Sequence, residues 1–217
     1  MVISSAKRSF LRNADGAVLA EGLIALPLVL LAFAALVEFG YAVFQWNQTV
    51  KALQYGARMA AVRDPLIDMA KFKATFPTSA ADPLNNSNAA PNDATISITC
   101  QLASANAGNC NEVNVRRLVE GGDGVCGTFA DGFPGMCDLN PRIEPKNVVI
   151  TYQRSGLGYW GRPGGPVLTM RMEVSGVKFD LPIIGALLGL DEVLVPAHPV
   201  TITTEDLDSC APGHPTC

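Results

Sequence analysis

Apolar residues are concentrated at one end of the chain. From Ala17 to Phe44 the sequence is almost wholly apolar, interrupted by charge only at Glu21 and Glu38. As an α-helix rising 1.5 Å per residue, this run reaches about 42 Å, more than the ~30 Å hydrocarbon core of a bilayer requires. Pro27 removes one helical hydrogen bond inside it, which predicts a bend or a loosened turn. Beyond Phe44 the pattern changes. Trp46, Val50, Leu53, Ala57 and Ala60 recur at spacings of three and four, and Asn47, Lys51, Gln54 and Arg58 fall on the other side. That is the signature of an amphipathic helix with one face free to pack. The predicted helix continues to about Arg63, and Asp64-Pro65 ends it. Trp46 stands where an interfacial aromatic anchor belongs.

The rest of the chain alternates at period two. Residues 65–93 are rich in Ala, Asn, Pro and Ser and form a connection. Residues 94–101 (A-T-I-S-I-T-C-Q) predict a first strand, and residues 147–154 (N-V-V-I-T-Y-Q-R) a second. Between them Gly, Asn and Asp accumulate, so a loop region is expected there, with a short helix over residues 111–120. Residues 156–166 form a turn-rich loop carrying Tyr159 and Trp160, either a contact surface or a pin to the core. Residues 167–174 and 176–181 are expected as an extended pair around Ser175-Gly176. Residues 182–190 are short and apolar, a helical turn or a membrane-apposed patch, and residues 192–204 end the sheet, with 200–204 alternating clearly. The predicted class is α+β, a long N-terminal transmembrane-plus-amphipathic helix on a small antiparallel sheet. Its expected division is 1–16 leader, 17–44 membrane helix, 45–64 amphipathic continuation and 65–217 exported β-rich domain.

Charge sets the orientation. Lys7, Arg8 and Arg12 precede the apolar run, which by the positive-inside rule keeps the N-terminus cytoplasmic and exports everything after Phe44. A secretory signal would carry a shorter apolar core and a small-x-small cleavage site after it, so an uncleaved anchor is the plain alternative. The net charge of −4 argues against nucleic acid as a partner. Cys100, Cys110, Cys126, Cys137, Cys210 and Cys217 all follow the run. An even number confined to the exported part predicts disulfides in an oxidising compartment, and no pair has zinc-ligand spacing. Local pairs close the shortest loops: Cys100 with Cys110, Cys126 with Cys137, Cys210 with Cys217.

Catalytic chemistry finds no residues. His198 and His214 are the two histidines, one flanked by proline and the other close to the C-terminus. No nucleophile elbow, P-loop, zincin motif or carboxylate pair is present. Gly121–Gly124 (G-G-D-G) follows a predicted helix instead of opening one, which makes it a poor phosphate loop. Asp123, Asp131 and Asp138 raise calcium, but the D-x-D-x-D-G pattern is missing and a solvated loop explains them better. No enzyme activity, metal or cofactor is expected. The two acidic residues of the span have a bland reading, in which both lie near the interfaces and snorkel, since 17 residues put them roughly 25 Å apart. The other reading keeps Glu21 in the bilayer to meet a partner's charge.

Several words of the first 65 residues resemble the TadE-like family of Tad/Flp pilus systems: G-A-V-L-A-E-G at Gly16–Gly22, L-P-L-V-L-L, V-E-F-G at Val37–Gly40 and Y-G-A-R-M-A-A-V at Tyr55–Val62. The resemblance implies a pilin-like fold and a pseudopilin or minor pilin-like component of a type IVb-related pilus. It also implies partners: the membrane, other pilins, the Tad secretion machinery and a prepilin peptidase. Processed members are cut after a glycine with a glutamate five residues beyond it, which here places the cut between Gly16 and Ala17 and makes Glu21 the fifth mature residue. A new amine at Ala17 and a neighbour's Glu21 would attract strongly in a low-dielectric bundle and fix axial register. The sequence departs from the major pilins in having Gly22 where they carry tyrosine, and in its greater length. Placement in an inner membrane with a periplasmic domain follows from the resemblance, as does entry into an extracellular pilus. The alternatives are an uncleaved periplasmic scaffold of the same machinery, or a membrane-tethered binding domain or enzyme.

Overall fold

The computed structural model describes residues 15–73, 96–127, 132–157, 167–189, 193–196 and 198–204. Helix α1 runs without interruption over Asp15–Ala61, with Pro27 inside it. It is followed by α2 (Met69–Lys73), β1 (Ser97–Cys100), α3 (Glu112–Glu120), α4 (Met136–Leu139), β2 (Val148–Leu157), β3 (Val167–Val174), α5 (Ile184–Leu188) and β4 (Val200–Thr203). The chain divides into two compact units, one of Met1–Val43 with Asp180–Glu192 and one of Phe44–Phe179 with Val193–Cys217.

In the larger unit the strands form one antiparallel sheet in the order β1-β2-β3-β4. Its register follows the period-two pattern of the sequence. Ile98 stands opposite Tyr152, Cys100 opposite Ile150, Ile150 opposite Met172 and Tyr152 opposite Met170. Met170 and Met172 in turn face Ile202 and Val200. These residues share one face, and those of the central strands are fully buried. The opposite face carries Thr99, Thr151, Arg171 and Thr201 in a row across the strands. There the hydroxyls of Thr99 and Thr151 are hydrogen-bonded at 2.9 Å. A bulge between Arg154 and Leu157 shifts the register, with Gly156 at φ 69 supplying the left-handed backbone that a side chain would resist.

The buried sheet face and the last four turns of α1 share one core. Ala52, Leu53, Ala57 and Ala60 join Ile98, Ile150, Tyr152, Met170 and Met172 there. Asn47, Lys51, Gln54 and Arg58 are exposed, as their spacing predicts. The buried stripe is broader than the apolar residues alone indicated, because Gln45 and Thr49 lie within it while Trp46 is exposed. Tyr152 also anchors the turn after the helix, its hydroxyl accepting the Leu66 N–H at 3.4 Å. The two loops of the Gly- and Asn-rich region are closed by disulfides between Cys100 and Cys110 and between Cys126 and Cys137.

Two sequence expectations need adjustment. The helix ends at Ala61, before the expected stop at Asp64, because residues 62–64 already turn ahead of Pro65. Residues 176–181 are not a strand. Positive φ at Gly176 turns the chain off the sheet, and one isolated bridge, Lys178 to Leu194, is what remains of the expected pairing. Residues 182–190 contain a short helix, α5. Lys7, Arg8, Arg12, residues 74–95, Asp131, Tyr159, Trp160, Cys210, His214 and Cys217 lie outside the described residues.

Candidate functional site

The first two-thirds of α1 is the part of the molecule that a partner or a membrane would meet. Leu19, Leu23, Ile24, Leu30, Leu36 and Phe39 are each more than half exposed. A water-facing helix would carry charge at such positions, so this surface is built for an apolar environment. By length and hydropathy α1 can cross a membrane. Glu21 lies exposed among these residues, one and a half turns before Pro27. Nothing stands within 4 Å of where a side chain at the adjacent Gly22 would begin, nor at Gly40. Both glycines therefore leave shallow notches on the surface of the helix. Gly16 and Ala17 belong to the first turn of α1, which starts at Asp15.

Glu38 behaves differently from Glu21. It is 4% exposed. Its two carboxyl oxygens accept the backbone N–H groups of Ile183 and Ile184, the second at 2.7 Å. Burying a carboxyl is costly unless hydrogen bonds replace its water, and here both oxygens have a donor. Glu38 is thus the acceptor for the start of α5. The uncharged stretch after Asp180 was the signal in the sequence that could have suggested a partner for it.

Beyond Phe44 a set of polar and close-packed contacts fixes α1 to the loop region of the larger unit. The Thr49 hydroxyl donates to the Gln45 carbonyl at 2.9 Å and accepts the Asn140 side-chain amide at 2.8 Å. One turn on, the Tyr55 hydroxyl donates to the Pro134 carbonyl at 2.9 Å. At Gly56 an added Cβ would overlap the Met136 sulfur, so a side chain there requires Met136 to shift. The Arg63 guanidinium stacks 3.4 Å above the Phe133 ring, with Arg117 on the same ring at 5.7 Å. Burial, and then the charge of Arg117, lower the Arg63 pKa. Close backbone approach recurs at Gly135, where a Cβ would fall 2.2 Å from the Val119 carbonyl oxygen. These contacts join residues 45–61 to the segment carrying Cys137 and hold the end of the helix rigidly. None of them places a nucleophile beside a base. Among the described residues no three His, Cys, Asp or Glu side chains converge as metal ligands. His198, Asp123 and Asp138 are on separate elements, and Asp138 caps its own loop by accepting the Gly127 and Gly135 N–H groups.

Comparison with known proteins fits the helix and not the sheet. Residues 16–58 match the TadE-like protein family, which is a stretch lying wholly within α1. No curated protein and no solved structure matches the chain. The matched stretch contains Gly16, Ala17, Glu21, Glu38, Thr49, Tyr55 and Gly56, and thus both the exposed apolar surface and the packed foot of the helix. The match associates the chain with Tad pilus systems.

Proposed function

We propose that the chain, with its TadE-like helix, is a pseudopilin or minor pilin-like component of a Tad/Flp pilus, acting in pilus assembly for adhesion or secretion. One observation carries this reading: the matched stretch is a single continuous helix, apolar and exposed over its first part and packed into a folded domain over its last. A simple anchor needs about 20 apolar residues and no rigid continuation. A subunit that must bundle its helix with others and carry a folded domain outside needs both parts. In this reading α1 lies in an inner membrane with the sheet domain in the periplasm, prepilin peptidase cuts between Gly16 and Ala17, and the helix is available to other pilins. Glu21 is then the fifth residue counted from the new amine and pairs with the terminus of a neighbour, which offsets the desolvation of both.

The test is genetic and biochemical. Deletion of the chain from native cells should abolish or sharply reduce piliation, and unchanged pili would overturn the reading. Glu21→Ala should reproduce the defect while the protein stays in the membrane fraction, because removing a charge eases insertion. Full piliation in that variant would leave Glu21 without an assembly role.

A further inference from the structure

Residues 181–189 are bounded by charge and contain none. Asp180 precedes them, Asp191 and Glu192 follow after Leu190, and the nine residues read L-P-I-I-G-A-L-L-G. Within this stretch α5 exposes Ile183, Leu187 and Leu188, at 52%, 61% and 64%. In the same compact unit, the first part of α1 exposes Leu36, Val37 and Phe39 on either side of Glu38. Glu38 itself is six residues before the end of the apolar run, about 9 Å along the helix axis.

The backbone of this segment is prepared for a medium without water. A helix in lipid must find partners for the N–H groups of its first turn, which have none inside the helix. Here Pro182 has no N–H to satisfy, and the next two, on Ile183 and Ile184, both donate to Glu38. The Leu187 N–H returns to the Ile183 carbonyl at 3.0 Å. At the other end Gly189 adopts φ 67 and its N–H closes onto the Gly185 carbonyl. Gly185, the residue without a side chain, is the buried one of the helix. A water-facing segment would not carry three large aliphatic side chains outward together.

From these contacts we infer that residues 181–189 are a second membrane-contacting element, which dips into the acyl-chain region of the bilayer beside α1 and is tethered there by Glu38. The inference rests on the reading of α1 as a membrane span. The element enters the leaflet on the side of the exported domain, at the depth of Glu38. Its occupant is lipid: the outward side chains are aliphatic, continuous in character with the span, and free of the polar and aromatic residues that mark a protein contact.

Fluorescence quenching of the full chain in phosphatidylcholine vesicles tests this. The two tryptophans are replaced (Trp46→Phe, Trp160→Phe), and one probe is introduced as Leu187→Trp or, in a second protein, as Leu30→Trp in the middle of the span. Brominated acyl chains should remove most of the emission of both probes, and aqueous acrylamide should barely affect either. A Leu187→Trp probe quenched from water, or protected from both quenchers as under a second copy of the chain, overturns the inference while the span reading stands. A Leu30→Trp probe untouched by brominated lipid overturns both. Adding Glu38→Ala should move the Leu187→Trp probe from lipid quenching toward acrylamide quenching and leave Leu30→Trp unchanged. Unaltered lipid quenching there would remove Glu38 as the tether.

Discussion

Glycine in a helix interior costs about 1 kcal/mol relative to alanine, so a buried one needs a reason. At Gly56 the reason is Met136, whose sulfur and Cγ occupy the space that a Cβ would take. Gly56→Ala therefore sets a propensity gain of about 1 kcal/mol against an overpacking cost of ~1–3 kcal/mol, and the net effect expected is a loss. Met136→Ala alone should cost about 2–5 kcal/mol as a cavity. Combined, the two should cost less than their sum, since each relieves the other's fault, and chemical denaturation of the four proteins measures that coupling. Additive effects would mean that the two residues do not share the site. Tyr152 gives a residue-scale dependence on pH. Burial raises its phenol above the usual value near 10, and the Leu66 N–H lowers it less. The folded chain then keeps a proton that the unfolded chain releases. The stability contribution is whole below about pH 10 and falls as pH rises beyond it. Tyr152→Phe should flatten that alkaline loss in thermal melts. It should also cost about 1–2 kcal/mol at neutral pH, because the Leu66 N–H loses its acceptor.

Elements were legible in proportion to how local their causes are. The apolar run, the three-four spacing after Phe44 and the alternation in residues 147–154 and 167–174 each fix an element by neighbours in sequence, and α1, β2 and β3 follow them. Helix α4 (M-C-D-L) has no periodicity to betray it. It is held by the Asp138 carboxyl capping Gly135 and by the Met136 contact with a helix about eighty residues earlier. Residues 176–181 failed in the opposite way: their composition suits a strand, but the turn at Gly176 takes them away from β3. The loops between β1 and β2 are short of apolar residues, and the disulfides compensate. Cys100–Cys110 and Cys126–Cys137 close loops of 10 and 11 residues. Each constrains the unfolded chain by about 2–3 kcal/mol in the loop-entropy account. Cys126→Ser with Cys137→Ser should lower the denaturation midpoint accordingly, and a reductant should do the same to the parent protein but not further to that loop in the variant. An unchanged midpoint would show that packing around Met136 holds the segment without the bond.

At the scale of the whole molecule, Gly16, Ala17 and Glu21 were singled out through a resemblance carried by one short stretch of sequence. The role of Glu38 could not be read, since its partners Ile183 and Ile184 are about 145 residues away and no spacing rule joins them. If the proposed processing is right, protein purified from native membranes should begin at Ala17 by N-terminal sequencing. A chain beginning at Met1 or Val2 would leave the anchored-scaffold reading. The core that joins the end of α1 to the sheet has a further consequence, in time. Leu53 and Ala57 are buried early in the sequence, yet their cluster is completed by Met170, Met172 and, at its margin, Ile202. The outermost strand, β4, is fastened by Thr204, whose backbone N–H and hydroxyl both meet Leu168. With synthesis at ~5–20 residues per second, the roughly 160 residues between Phe44 and Thr204 take on the order of 8–30 s to appear. Through that interval the apolar helix can already be in the bilayer, while its packing face waits for strands not yet made. If α1 inserts as proposed, the nascent domain is a tethered, unfinished chain until almost the last strand arrives.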